Sequence, residues 1–285
     1  MLRHYDRLQN FTEKHMNLSI CSFASSSSGN SYLIQSEETA ILVDAGITAK
    51  ATDEGLREIG IGYEDLGGIC ITHEHVDHIK CLHTLAARRP FEERIYATEG
   101  TMEGILEKTS AISAGNFERV CSGDSFKIRD IKVGTFALSH DTPQPIGYAF
   151  EKNGRKIAIV TDTGYVTEEI FKAIRGADVL VLEANHEKNL LLYGRYPYPL
   201  KRRILGDQGH LSNEDCGGAL CRYLREIDGE KVPNVVLAHL SSENNTPMQA
   251  LLTVRNILEE NDFYAGKDLV LTTAPKNELS QIIRV

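Results

Sequence analysis

Three imidazoles and two carboxylates fall within six residues at His73-Glu74-His75-Val76-Asp77-His78. Packed so closely, these groups repel one another or compete for protons unless a cation holds them. A pair of divalent metal ions does so. Neutral imidazole and carboxylate are the usual ligands of zinc and, with harder oxygen donors added, of manganese or iron. In extended chain, residues two apart share a face, so His73 and His75 point the same way. Past Asp77 the chain must turn helical, because three-residue spacing then returns His78 to the side of His75. Glu74 lies off the shared face and is expected to be a surface or structural carboxylate.

The elements around this stretch have to hold it in place. Gly68-Ile69-Cys70-Ile71 before it reads as a short buried strand, and residues 79–87 after it as an amphipathic helix. The same device recurs along the chain, an apolar strand ending in a chemically loaded residue. Such ends occur at Asp44, His73, His140, Asp162, Glu183 and His239. Six on one chain argue that these ends converge on one rim. Helices are expected over 48–60, 100–108, 166–175, 214–226 and 247–260, and Asn153-Gly154 is the favoured two-residue hairpin turn. Strands and helices alternate in both halves, with hairpins as well as crossovers. That predicts an α/β fold, a four-layer sandwich of two mixed β-sheets with helices outside. Asp44, at a strand end beside Gly46, is expected to fix the orientation of a ligand ring from behind.

At 285 residues, with 41% hydrophobic and 25% charged content, the chain is an ordinary globular protein. No apolar run approaches the roughly 20 residues that span a bilayer, so no membrane association is expected. The N-terminus, MLRHYDRLQNFTEKHMN, lacks the apolar core of a secretory signal. Residues 1–16 are expected to form an extension, with His4 and His15 as tail residues, and residues 17–285 a single domain. Six scattered cysteines, several inside apolar runs, suit reduced core thiols in a cytoplasm. A net charge of −9 does not advertise a nucleic-acid binder.

Three segments stand where they can meet a substrate. Ser25-Ser26-Ser27-Ser28-Gly29-Asn30 lies between two strands, so it is a turn whose Ser28 and Asn30 can line a site. Residues 193–203 interleave Arg195, Lys201, Arg202 and Arg203 with Tyr193, Tyr196 and Tyr198. This is either a solvated loop or a groove wall that holds phosphates and stacks an unpaired base. His186 and His210 sit in polar contexts near strand or helix ends. His210, beside Ser212 and Asn213 at a helix start, is expected to bind phosphate or donate a proton.

H-x-H-x-D-H together with Asp44, His140, Asp162 in a T-D-T-G context and His239 resembles the metallo-β-lactamase superfamily, from about Ser19 onward. Within it, SSSSGNS, ITHEHVDHIK, TDTGY, GHLSNEDCGG and LSSENNTP are similar to the YycJ/WalJ group, whose members are described as DNA exonucleases. The resemblance implies that His73, His75 and His140 bind one metal ion and Asp77, His78 and His239 the second. Asp162 would bridge the two and Asp44 would stand behind the ligands. It implies the αββα sandwich and digestion from 5′ to 3′.

Two divalent ions lower the pKa of water toward neutrality and neutralise a phosphoryl oxygen as charge builds. The expected reaction is therefore metal-assisted hydrolysis, with no protein nucleophile required and Asp77, Asp162 and His210 as the catalytic residues. Zinc or manganese is the expected cofactor, with iron an alternative. DNA is the expected partner, and no obligatory protein partner is evident. Competing readings are a small-molecule hydrolase of thioesters, lactones or cyclic phosphodiesters, and an iron-binding redox protein on the same ligands. The basic aromatic segment favours DNA; the acidic net charge favours a small molecule.

Overall fold

A computed structural model of the chain describes residues 18–88 and 95–285. The extension expected over 1–16, with His4, His15 and Met16, and a break expected at Pro90 lie outside the described residues.

Among the described residues, fourteen strands form two seven-stranded sheets. The first contains β1 (Ser19–Ser26), β2 (Gly29–Gln35), β3 (Ala40–Val43), β4 (Leu66–Cys70), β5 (Ile95–Ala97), β6 (Phe117–Arg119) and β14 (Ile283–Arg284). Their order is β14-β1-β2-β3-β4-β5-β6. The second contains β7 (Ser125–Ile128), β8 (Ile131–Ala137), β9 (Ile146–Lys152), β10 (Arg155–Val160), β11 (Val179–Glu183), β12 (Asn234–Ala238) and β13 (Val270–Thr273). Their order is β13-β12-β11-β10-β9-β8-β7. Each sheet is antiparallel in one half and parallel in the other, the change falling after β3 and after β10. The parallel strands of each sheet therefore deliver their carboxyl ends to one rim, where ligands of open α/β sheets bind.

Period-2 alternation explains why both faces of each sheet are buried. Along β10, Ile157 and Ile159 face the other sheet, while Ala158 and Val160 face helices. In β3, Ile41 and Val43 face between the sheets, while Ala40 and Leu42 face outward. Helices α1 (Ala49–Ile59), α3 (Leu82–Arg88) and α4 (Glu99–Lys108) cover the first sheet through Leu56, Leu82, Leu85 and Ile105. Helices α5 (Glu168–Ile174), α8 (Asn213–Ile227) and α9 (Pro247–Glu259) cover the second through Phe171, Leu220 and Val254. The result is the four-layer αββα sandwich that the alternation predicts.

Three details depart from the sequence reading. The helix expected over 79–87 is two pieces, α2 (Val76–Ile79) and α3, because the Cys81 N–H donates to Ala45 O (2.9 Å) instead of continuing the turn. The segment over 193–203 is largely helical: α6 (Lys188–Tyr193) leads to α7 (Tyr198–Leu205), whose entry is set by Pro197 and Pro199. Lys201 Nζ donates to Leu192 O and Gly194 O at 2.8 Å each, so this lysine ties the two helices together. Of the cysteines expected in the core, Cys121 is exposed and the other five are buried.

Candidate metal centre

Three residues that end strands at the rim share an unusual backbone. Asp44 follows β3 with φ 61°, Asp162 follows β10 with φ 61°, and His239 follows β12 with φ 55°. This left-handed region suits Asp and His better than most non-glycine residues, and it turns each side chain out of the pleat. Asp44 then accepts hydrogen bonds from Thr72 N (2.9 Å) and from His78 Nδ1 (2.8 Å), joining the ends of β3 and β4. Gly46 permits the closest approach nearby: a Cβ built there would lie 1.6 Å from the Asp77 carbonyl oxygen. The Ser25 hydroxyl accepts the His239 N–H at 2.8 Å and bonds the Tyr32 hydroxyl at 2.7 Å, anchoring the second sheet's rim to the first.

These supports bring the histidines and acids together. His73, His75 and His140 present ring nitrogens within 4.8 Å of one another, as do the donor atoms of Asp77, His78 and His239, and those of His73, His78 and Asp162. Asp162 lies between, with Oδ2 3.3 Å from His78 Nε2 and Oδ1 3.8 Å from His140 Nε2. His239 Nε2 stands 3.5 Å from Asp77 Oδ2, and His140 Nε2 3.3 Å from His75 Nδ1. Glu183, at the end of β11, joins Asp162, His210 and His239 in a fourth group. Its Oε1 accepts from Nδ1 of both His210 and His239 at 2.8 Å.

The donor set fits divalent cations on observations internal to the structure. His73 Nε2, Asp162 Oδ2 and His239 Nε2 are buried polar atoms with no hydrogen-bond partner among the described residues, and all three belong to the clustered side chains. Ligand atoms about 2.0–2.2 Å from one ion span such separations. The electrostatics agree that positive charge belongs here. Burial alone would lower the His239 imidazole, yet Asp162, Asp77 and Glu183 push it up to about 10. His78 is likewise carried well above its ordinary value by Asp162 and Asp44, against burial. Burial would raise Glu183, but His210 and His239 hold it down at about 2. His73 and His75 go the other way, lowered by burial and by neighbouring imidazoles, His75 to about 4, which leaves lone pairs available.

A cleft of about 190 Å³ opens over these groups. His75, Asp77, Asp162, His210 and His239 form its floor, and Tyr196, Leu200, Arg203 and Ile204 its roof. Arg203 is paired with Asp141, Nη2 donating to Oδ1 at 3.0 Å. His210 is mostly buried, with its ring centroid 5.0 Å from that of His140 and 5.3 Å from that of His239.

Other residues expected at the site have different surroundings. Ser28 is exposed at the tip of the β1–β2 turn and lines a separate depression; its neighbour Ser27 reaches the cleft. Asn30 is fully buried, its Nδ2 donating to Ser26 O (2.9 Å) and standing 3.1 Å from His78 Nε2, so it braces the loop against the centre. Ser212 is buried as the cap of α8, accepting Asp215 N at 3.0 Å. His186 is buried and does not line the cleft. Arg195 and Arg202 are exposed outside it, as are Tyr193 and Tyr198. Glu74 is buried, not on the surface, and packs against Gly104 of α4. Tyr196, one of the three tyrosines expected on a groove wall, does line the cleft, whereas Glu183, Leu200 and Ile204 had no defined site role in the sequence. Glu183 was visible as a loaded strand end; Leu200 and Ile204 carried no signal.

A family model described as the Beta-lactamase superfamily domain matches residues 39–239. The chain is 38% identical over 252 residues to Exodeoxyribonuclease YycJ of Bacillus anthracis, covering 88% of this chain and 93% of that one. It is also 38% identical over 258 residues to Exodeoxyribonuclease WalJ of Streptococcus pneumoniae, with the same coverage. Among solved structures, the metallo-beta-lactamase fold protein YhfI from Bacillus subtilis superposes with a TM-score of 0.68 at 14% identity, over 95% of this chain and 100% of that one. Zn(2+)-bound PqqB from Methylobacterium extorquens gives 0.65 at 16% identity, over 92% and 99%. These two likenesses concern the fold.

Proposed function

The chain belongs to the beta-lactamase superfamily, and from that premise we propose that it is a metal-dependent DNA exonuclease. Its identity to proteins named exodeoxyribonucleases supports the reading. One structural observation carries it: a cleft of about 190 Å³ with an acid and imidazole floor and a roof of Tyr196, Leu200, Arg203 and Ile204. That volume is below the roughly 300–1,000 Å³ of pockets that engulf drug-sized ligands. It suits the terminal residue of a strand better than the middle of a duplex. Digestion from 5′ to 3′ is read from the resemblance to the YycJ/WalJ group.

His73, His75 and His140 would hold one divalent ion and Asp77, His78 and His239 another, with Asp162 between them. When bound, the ions acidify water and neutralise phosphoryl oxygens. The chain's own residues do the rest. Asp44 fixes the His78 ring by accepting from Nδ1, so Nε2 faces the centre. Glu183 does the same for His239 and His210. With its Nδ1 proton committed to Glu183, His210 turns Nε2 toward the cleft, where it can hand a proton to the departing oxygen. Tyr196 offers a face on which a terminal base stacks, and Arg203 stands on the wall where a phosphate lies. Residence in the cytoplasm is part of the proposal, on the scattered cysteine usage; among the described residues no helix is long and apolar enough to cross a membrane.

The test is incubation of the protein and its Asp162→Asn variant with end-labelled single- and double-stranded DNA and RNA, plus manganese or zinc. Mononucleotides released from DNA ends, dependent on metal and on Asp162, are expected. The labelled end that disappears first gives the direction. His210→Ala should sharply reduce turnover and leave metal content intact. Absence of metal-dependent, Asp162-dependent cleavage overturns the reading. The cleft's small volume also suits a small phosphodiester, so a cyclic mononucleotide belongs in the same panel. One redox-active iron per chain, found by elemental analysis, would favour the redox reading instead.

A further inference from the structure

Far from the rim, the second sheet ends in a groove of about 640 Å³ where the β7–β8 turn, the β9–β10 turn and the end of α5 meet. Lys127, Lys132, Lys152, Arg155, Lys156 and Arg175 line it, against the acids Asp130 and Glu151. This concentration of positive charge sits on a chain whose net charge is −9.

Strand register explains how the cations are arranged. Lys127 of β7 is directly opposite Lys132 of β8, Lys132 is opposite Glu151 of β9, and Glu151 is opposite Lys156 of β10. Directly paired residues share a face, so these four side chains form one row across the sheet. The row lies on the outer face, because the neighbouring Ile131, Val133 and Ile157 point between the sheets. Three inter-strand steps of about 4.8 Å give it a length of about 14 Å.

The pairing within the row leaves positive charge over. Glu151 is shared by Lys132 (3.2 Å) and Lys156 (3.5 Å), and Lys152 takes Asp130 (2.6 Å). Asp178, just behind, is shared by Arg155 (3.2 Å) and Lys231 (3.0 Å). Lys127 and Arg175 have no ion pair among the described residues. Like charges placed directly opposite, as Lys127 and Lys132 are, destabilise a sheet unless an anion lies between them. Burial together with Lys132 and Lys231 also lowers the Lys156 ammonium, in spite of Glu151.

We propose that this row is a second binding site for the phosphodiester backbone of nucleic acid, separate from the cutting centre. A row about 14 Å long in which three lysines outnumber one glutamate, flanked by Arg155 and Arg175, matches phosphates repeating along a strand better than one small anion, which needs cations converging on a point. The choice of nucleic acid over another polyanion rests on the nuclease reading above. From Lys156 to Asp162 the chain covers six residues, about 20 Å at 3.3 Å each. At about 3.4 Å per base pair, a duplex shorter than about 6 pairs cannot touch both sites.

The test uses the full chain with Lys127→Ala and Arg175→Ala combined, since both lie outside the ion pairs and far from the rim. Binding of a 30-pair duplex and of a single-stranded trinucleotide is measured by fluorescence anisotropy, with chelator present to prevent cleavage, at several salt concentrations. For the duplex, the slope of log affinity against log salt should fall by about 1.8, since each lost phosphate contact removes about 0.9. Cleavage of the trinucleotide with metal, and the melting temperature, should match the parent. A charge-reversed pair, Lys127→Glu with Arg175→Glu, should lower duplex affinity further. Unchanged duplex affinity and slope in both variants overturn the proposal, as does a groove that binds polyglutamate and not the duplex. Failure of the parent to cleave the short strand would count against the nuclease reading and leave the duplex result to decide the groove.

Discussion

Glu183→Gln is the substitution whose outcome the geometry determines most fully. The carboxylate is wholly buried and its two oxygens divide their work. Oε1 accepts from Nδ1 of His210 and His239 at 2.8 Å each; Oε2 accepts from the backbone N–H of Thr163 (3.0 Å) and Leu211 (3.2 Å). A glutamine must point its amide nitrogen at one of these pairs. Backbone N–H groups cannot become acceptors, so facing them would orphan two buried donors, at roughly 1–3 kcal/mol each. An imidazole can accept instead by moving its proton from Nδ1 to Nε2. The amide therefore turns to the imidazoles, and both rings then carry hydrogen on Nε2. His239 loses the lone pair that faces the centre, and His210 loses the carboxylate that supports a positive ring. Loss of such a supporting carboxylate lowers metal affinity about 10–100-fold, or about 1.4–2.7 kcal/mol. The variant should keep its fold, because the backbone pair stays satisfied. Competition against a chromophoric chelator reads the affinity, and nitrogen-15 NMR of the histidines reads the proton positions. Metal affinity within twofold of the parent, with Nδ1 of His239 still protonated, would refute the reasoning.

Three further outcomes follow from named contacts. Gly46→Ala forces a Cβ to within 1.6 Å of the Asp77 carbonyl oxygen, so the loop carrying Asp77 must move; turnover should drop about 100-fold, as for an ångström-scale misplacement, with reduced metal content by elemental analysis. Tyr196→Ala removes the aromatic face of the roof; KM for single-stranded DNA should rise about 5–150-fold, from about 1–3 kcal/mol of stacking, while kcat stays within a few-fold. Asp130→Asn replaces the carboxylate that accepts from Lys152 Nζ (2.6 Å) and Ser36 Oγ (2.8 Å) with a neutral amide and should cost about 1–2 kcal/mol of unfolding free energy near neutral pH, read by urea denaturation. Burial would raise the Asp130 carboxyl, but Lys152 and Ser36 hold it below its ordinary value; the stabilisation is thus complete above about pH 4 and disappears as the pH falls through the lower folded value, so parent and variant should converge in acid.

Most strands that feed the rim were legible because both faces are buried, which makes them short apolar runs whose ends stand out as soon as a charged residue appears. The strand β8, with Lys132 exposed, alternates instead, and its run ends as plainly at His140. His73, His140, Asp162, Glu183 and His239 were all visible in that way. The backbone at those ends was not legible. Nothing in the letters around Asp162 or His239 distinguishes a residue that continues a strand from one with φ 61° or 55°. The roof was misread for a related reason. Tyr193, Tyr196 and Tyr198 look equivalent in sequence, but Pro197 starts α7 between them, leaving Tyr196 on the cleft and the other two in solvent. Lys201 looked like a phosphate ligand because charge is visible in a sequence and carbonyl oxygens are not; two of the latter hold it. The row from Lys127 to Lys156 was hidden because it depends on the register of four strands spread over thirty residues.

The left-handed residues also bear on why the centre holds together. A left-handed conformation costs an L-residue roughly 1–2 kcal/mol, so Asp44, Asp162 and His239 together cost about 3–6, a large share of the 5–15 kcal/mol of a typical fold. Asp44 recovers its share within the protein, through bonds to Thr72 and His78 in a fully buried setting. Asp162 and His239 do not recover theirs so fully, since Oδ2 of one and Nε2 of the other are buried without a hydrogen-bond partner among the described residues. Strain and unsatisfied polar atoms thus coincide on two of the residues that the second sheet contributes to the rim. Such a coincidence is destabilising in a purely structural cluster and is what an ion-binding cluster requires, because ligands aimed in advance need no rearrangement when the cation arrives. The first sheet supplies a braced half, with Asp44, Thr72 and Asn30 behind His78, and the second a tensioned half held by Glu183. The division fits a centre assembled from two sheets whose separate cores fix them independently of any ion.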